Sequence, residues 1–333
     1  MNTNIDNRFN EDYLALSANY AATMNEIVLP YINARRTDMT VAGEGGVPLF
    51  CSRFDADAPR GTVMIVHGFT ECADKYAELI HSLLHGGYSV VAYDQRGHGR
   101  SWRDPEIADR SLTHVDRFED YVRDMACVAD GVLKGMPKPL TLFCHSMGGA
   151  VSALFMEENP GVFSRAAMCA PMIMANLGGI PKPVAEAMCA GAKAIGRRKQ
   201  RIFGSKPYAG PEDFNTSAAS GRARFDWYDA VKQNNPAFQN NGPTYGWTME
   251  AIRANKLILR DGAVERIDIP VRLYTAERDD SVMPDAQAAF VARLRDGRRE
   301  IVRGAKHEIF RSPDEVVFPW WKEILAFFGG ESD

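Results

Sequence analysis

Residues 143–150 read FCHSMGGA. Ser146 stands between an apolar run that ends at Cys144 and MGGAVSALFMEE (147–158), a good helix former. A serine on a tight strand-to-helix turn exposes its hydroxyl at the edge of a sheet, and the turn needs small residues two positions before and after it, the pattern G-x-S-x-G. Gly148 meets that need, Gly149 leaves room for the helix to pack, and Cys144 takes the place of the first glycine. Cysteine is small and readily buried, so it fits beneath such a turn where a larger residue would clash. Ser146 is therefore a candidate nucleophile.

Outward from this turn, strands alternate with helices. TVMIV (62–66), YSVVAY (88–93), LTLFC (140–144), AAMCA (166–170), VRLYTA (271–276) and EIV (300–302) are short apolar runs. Phe118, Tyr121, Val122, Met125, Val128 and Val132 recur at helical spacing, as do Ala286, Phe290, Val291 and Leu294. The alternation predicts an α/β fold with a mostly parallel central sheet and helices on both faces. Ahead of it, residues 1–36 read as a helical lead-in, and the runs 38–41 and 47–52 around AGEGG as an antiparallel hairpin. Between Pro171 and about Gly262 no strand is legible, only helical patterns, the basic run GRRKQR and NNPAFQNNGPTYGW. The expected organisation is a core of 37–171 and 263–333, interrupted by a helical cap, 172–262, over the sheet's carboxyl edge, where open α/β folds bind ligands.

Composition sets the bounds. The 333 residues carry a formal net charge of -4, and such a balance does not suggest nucleic acid. Six cysteines are spread singly, with no paired spacing and no His/Cys cluster, which points to a reduced cytosolic chain without a bound metal. The start, MNTNIDNRFNEDYLALSANY, is polar and acidic, unlike a signal peptide, and no run approaches the roughly 18 apolar residues of a spanning helix. Any membrane contact is expected to be peripheral, at the inner face.

A nucleophilic serine needs a base. His307, in RGAKHEIF beyond the last strand, is the one histidine after Ser146 in the chain. The imidazole needs a carboxylate, and ERDDSVMP (277–284) offers Glu277, Asp279 and Asp280. Asp279, three residues beyond Ala276, has the usual spacing and is preferred to Asp280. The oxyanion needs backbone N–H donors: Met147 follows the nucleophile, and Phe69 lies in HGFT after the first core strand. His67 is read as a buttress of that loop, and YDQRGHGRS (93–101) as a structural loop, since it has neither phosphate-loop nor dinucleotide spacing.

Together, VHGFTE, YDQRGHGRS, CHSMGGA, the acids after LYTA, and GAKHEI resemble, in order and spacing, the bacterial lysophospholipase and monoacylglycerol lipase branch of the α/β-hydrolases; GPTYGW is similar to its lysophospholipase side. The resemblance runs from about Val47 to the C-terminal helix. It implies a serine esterase of single-chain lipids, with Ser146, Asp279 and His307 as triad, Phe69 and Met147 as oxyanion donors, and no cofactor. Cys144 and the acid turn AERD depart from the glycine-led forms usual there.

Within the expected cap, Val184, Met188, Ala192 and Ile195 share one helix face, which would line an acyl tunnel. Arg197, Arg198, Lys199 and Arg201 form either a solvated face or a phosphate-attracting rim. The substrate reads as a lysophospholipid, with monoacylglycerol, another ester, a thioester or a peptide as alternatives on the same fold. A ligand-binding relic with little turnover is the competing class. Oligomeric state is left open.

Overall fold

The computed structural model describes residues 14–330. Residues 1–13, the first part of the expected lead-in, lie outside the described residues. The rest of the lead-in is helical: α1 (Tyr20–Thr23) runs through a π-helical turn, Met24–Val28, into α2 (Leu29–Asn33). β1 (Arg36–Ala42) and β2 (Pro48–Phe54) pair antiparallel, with Met39 opposite Cys51. Their turn closes through Gly43 N–H on the Val47 carbonyl, and Gly45 and Gly46 at φ 72° and 76° supply the left-handed backbone that closure requires.

Chain order continues with β3 (Gly61–Val66), α3 (Ala77–His85), β4 (Tyr88–Tyr93), α4 (Glu119–Gly131), β5 (Leu140–His145), α5 (Met147–Glu158) and β6 (Arg165–Cys169). Then come α6 (Lys182–Ala194), α7 (Arg222–Gln233), α8 (Tyr245–Ile258), β7 (Val271–Ala276), α9 (Pro284–Val291), β8 (Gly297–Val302) and α10 (Asp314–Gly329). The sheet order is β1-β2-β4-β3-β5-β6-β7-β8, antiparallel at β1/β2 and β2/β4 and parallel elsewhere. The α/β fold with helices on both faces is thus as the sequence reads. β8 begins three residues before the run EIV: as an edge strand it carries Arg298, Arg299 and Glu300, so its polar half hides the pattern.

Alternate residues of each inner strand feed two cores. Met64, Leu142, Cys144 and Met168 point to the side of α4, α5 and α9, while Val63, Ile65, Phe143 and Cys169 point to that of α3 and α10. Each fully buried Val, Leu or Phe among them contributes about 1.5–3 kcal/mol.

The segment between β6 and β7 is knit into both cores rather than laid over them. α8 buries Trp247, Ala251, Ala254 and Ile258 in the first core. α7 is anchored in the second by Arg224, 1% exposed, whose guanidinium holds Glu78 of α3 (2.8 Å) and Asp314 of α10 (2.6 Å). Only α6 stays outside, with Ala185, Cys189 and Ala192 turned inward and Val184 and Ile195 exposed. Of the expected stripe, Ala192 is buried and Met188 half-buried, while Val184 and Ile195 face solvent; small residues let α6 sit close to its support.

Candidate active site

Between β5 and α5 the chain passes through Ser146 at φ 50°, ψ -118°. A non-glycine residue in such a conformation costs on the order of 1–3 kcal/mol and persists only when its surroundings over-determine it. They do: Ser146 N–H donates to the Cys169 carbonyl (3.2 Å), and the Ser146 carbonyl accepts from Gly149 and Met172 (both 2.8 Å). Gly148 is required by close approach, since a Cβ there would stand 2.2 Å from the Val66 carbonyl oxygen. Cys144, fully buried on β5, fills space beneath the turn, and burial pushes its thiol up to about 12. It is a packing residue, not a thiolate.

His307 follows β8 and presents Nε2 to Ser146 Oγ at 2.8 Å and Nδ1 to Asp279 Oδ2 at 2.8 Å. The carboxylate accepts, so Nδ1 carries the proton and Nε2 is left to accept from the serine hydroxyl. The other oxygen of Asp279 accepts from Ser281 N–H (2.9 Å) and Val282 N–H (3.1 Å). Burial works to raise the Asp279 carboxyl, but the bond from His307 and these amides outweigh it and hold it below the ordinary aspartate value. Asp280 is exposed and meets only the Ser281 hydroxyl through its side chain, and Glu277 caps Gly304 N–H. Of the three acids, the fold brings Asp279 to the imidazole.

Met147 is the first residue of α5, so its N–H has no intrahelical acceptor. Phe69 N–H has no backbone partner outside regular elements among the described residues. The loop that carries Phe69 is pinned on both sides. Gly68 N–H donates to Glu71 (2.7 Å), and His67 accepts from Gln95 N–H at Nε2 (2.9 Å) while Nδ1 donates to the Gly68 carbonyl (2.7 Å). Burial brings the His67 imidazole down to about 4, so it is a neutral strut.

Glu71 opens a network that sequence reasoning missed. Its carboxylate also takes Tyr76 OH (2.6 Å) and Lys75 (2.8 Å), and Lys75 bridges to Glu308, which pairs with Arg311. His145 spans Glu71 and the His307 carbonyl, at 3.2 and 3.3 Å. Burial alone would raise the Glu71 carboxyl; Lys75 and His145 overcome this and hold it well below the ordinary value. The loop that carries Phe69 and the loop that carries His307 are thereby joined through Glu71, His145 and Lys75. A faint signal was legible, the spacing of Glu71 and Lys75 one helical turn apart.

Of the expected substrate residues in the inserted segment, Val184 and Arg197 are exposed, Met188 is half-buried, and Arg198 and Lys199 are engaged in ion pairs. Val184, Met188, Arg197, Arg198 and Lys199 make no hydrogen bond or ion pair with the Ser146–His307–Asp279 chain. Arg198 pairs with Asp116 (2.8 Å), Lys199 with Asp104 (2.6 Å) and Glu106, and Arg201 with Asp109 (2.6 Å), all on the loop after β4. Most of the basic run thus clamps the inserted segment to that loop instead of facing outward. Among the described residues no cluster of His, Cys, Asp and Glu is arranged to hold a metal ion.

The family described as serine aminopeptidase, S33, matches residues 57–314. Lysophospholipase L2 of Escherichia coli strain K12 is 32% identical over 304 residues, covering 88% of both chains. Human monoglyceride lipase is 25% identical over 285 residues, covering 84% of this chain and 86% of its own. A crystal structure of a soluble variant of monoglyceride lipase from Saccharomyces cerevisiae, in complex with a substrate analog, superposes with a TM-score of 0.69 at 17% identity, over 89% of this chain and 97% of that one. At that identity the likeness concerns the fold.

Proposed function

Because this chain belongs to the serine aminopeptidase S33 family, in the lysophospholipase and monoglyceride lipase branch of the α/β-hydrolases, and is a carboxylic-ester hydrolase, we propose that it cleaves the acyl ester of a lysophospholipid through Ser146, His307 and Asp279. The observation that carries the assignment is the unbroken chain of two 2.8 Å hydrogen bonds ending on the serine hydroxyl. In this reading Ser146 Oγ attacks the ester carbonyl as His307 Nε2 takes its proton. Asp279 stabilises the imidazolium, and Phe69 and Met147 N–H hold the oxyanion. His307 then protonates the departing glycerophosphodiester, and a water activated by the same imidazole releases the fatty acid.

The similarity to Escherichia coli lysophospholipase L2, extending over most of both chains, supports the lysophospholipid over the monoglyceride. Segment 172–262 acts as the cap, and its outward apolar side chains, Ile180, Val184, Ile195 and Phe203, the last 87% exposed, suit peripheral contact with a lipid surface. Arg197, exposed and without a carboxylate partner among the described residues, is the cation of the basic run left to meet a phosphate. No described helix is long and apolar enough to cross a membrane. The proposed location is the cytoplasm, with peripheral contact at the inner membrane face as part of the same proposal. Rates on lysophosphatidylethanolamine, monoacylglycerols and p-nitrophenyl esters of rising chain length test this. Preference for the lysophospholipid is expected; fastest turnover of acetate or butyrate esters overturns the lipid assignment.

A further inference from the structure

Trp247 brings the inserted segment against the ring of Phe69 in the loop after β3. Trp247 lies in the first turn of α8, and that turn is fixed by its own sequence, PTYGW. Thr244 caps the helix by accepting from Trp247 N–H (2.9 Å), and the same hydroxyl meets His114 Nδ1 (2.7 Å). A Cβ at Gly246 would lie 2.5 Å from His114 Cε1, so glycine lets α8 seat against the loop after β4. So placed, the indole is 7% exposed and lies over the Phe69 ring, centroids 3.9 Å apart and planes 34° from parallel. From another side His98 meets Phe69 edge-on at 5.9 Å, and His98 itself rests on His67.

We propose that Trp247 is a positioning residue of the oxyanion hole, acting through the ring of Phe69; the proposal rests on the role given to Phe69 N–H above. Thr70, next in the loop, has φ 60°, a conformation that threonine does not choose by itself. The loop's shape is imposed by contacts. His67 is tied to Gln95 and Gly68 to Glu71. The Gly68 carbonyl, in one peptide plane with the Phe69 N–H, is held by His67 Nδ1 (2.7 Å), and the ring of Phe69, packed against Trp247 and His98, holds the residue from its other side, so that both contacts set where the N–H points. Because Trp247 belongs to the insertion, correct seating of that segment and stabilisation of the transition state become one event.

The test compares Trp247→Ala, Trp247→Phe and Phe69→Ala in the full chain, using short and long p-nitrophenyl esters and a trifluoromethyl ketone as tetrahedral mimic. Loss of a whole oxyanion donor costs about 10²–10³ in kcat, so a misaimed one is expected to cost about tenfold to thirtyfold. That loss should fall on kcat at every chain length, leave KM and the pH profile unchanged, weaken the ketone in proportion, and be largely restored by phenylalanine. In the Phe69→Ala background the tryptophan substitution should add almost nothing. Unchanged kcat, a loss confined to KM that grows with acyl length, or additive effects overturn the proposal. If Trp247→Ala does not fold, Trp247→Leu carries the same comparison. Turnover surviving Ser146→Ala would sink the serine-esterase reading instead, whatever Trp247 does.

Discussion

The loops at the carboxyl ends of the strands and the helix α6 are built on opposite principles. The loops hold Ser146 and Thr70 at positive φ and fix Gly68 N–H, Asp279, His307 and Ser146 Oγ through hydrogen bonds. α6 is regular, its fully buried positions are alanines and a cysteine, and Val184 and Ile195 stand in solvent. Chemistry needs atoms held to within fractions of an ångström, which only over-determined geometry supplies; contact with a flexible acyl chain or lipid surface does not.

That contrast predicts a ranking of effects. Ser146→Ala should lower turnover by roughly 10⁴-fold or more with the fold intact, and only the wild type should react with a fluorophosphonate. Asp279→Asn should cost on the order of 10⁴ in kcat, because the wrong imidazole tautomer is then favoured. Asp280→Asn, altering an exposed group, should stay near wild type, and the reverse order would reassign the acid. Cys144→Gly should keep activity under reducing conditions while Cys144→Leu abolishes it, the buried position calling for volume and not for a thiol.

Smaller effects belong to stability. Glu308→Gln breaks a buried pair with Lys75, for which about 3–5 kcal/mol is typical, read from urea unfolding. Glu308 sits at about 2 in the folded protein against an ordinary 4.5, its burial outweighed by Lys75 and Arg311. Its stabilisation is therefore complete above the ordinary value and lost as pH falls toward about 2, and the variant should lack that part of the acid slope. On segment 172–262, reversing charge at Arg198 and Lys199 together should cost only about 0.2–1 kcal/mol per pair and leave the ratio of lysophospholipid to monoacylglycerol turnover unchanged, since both are spent on carboxylates. Arg197→Glu alone should lower that ratio, the more so at low salt. Smallest of all, Val184→Ser with Ile195→Ser should shift stability by no more than about 0.5 kcal/mol at each site while slowing hydrolysis of substrate embedded in vesicles. A large stability loss would place α6 in the core and erase the contrast.

Where a reading needed only local pattern, sequence carried it. Apolar runs with helices between them point to a parallel sheet covered on both faces, and Ser146, Asp279 and His307, which the fold joins by hydrogen bonds, each stand in a segment that follows a strand. Separation along the chain made the rest illegible. The Glu71–Lys75–Glu308–Arg311 network joins groups 233 residues apart, and each looks alone like a solvated charge. The partners of Arg198 and Lys199 lie 82 and 93 residues upstream. On α6, helical period pointed to the stripe Val184, Met188, Ala192 and Ile195, whereas packing of the helix buries Ala185, Cys189 and Ala192. The choice of Trp247 as neighbour to Phe69 likewise depends on the seating of α8, set by His114 against Gly246, a contact that exists only once the chain has closed on itself.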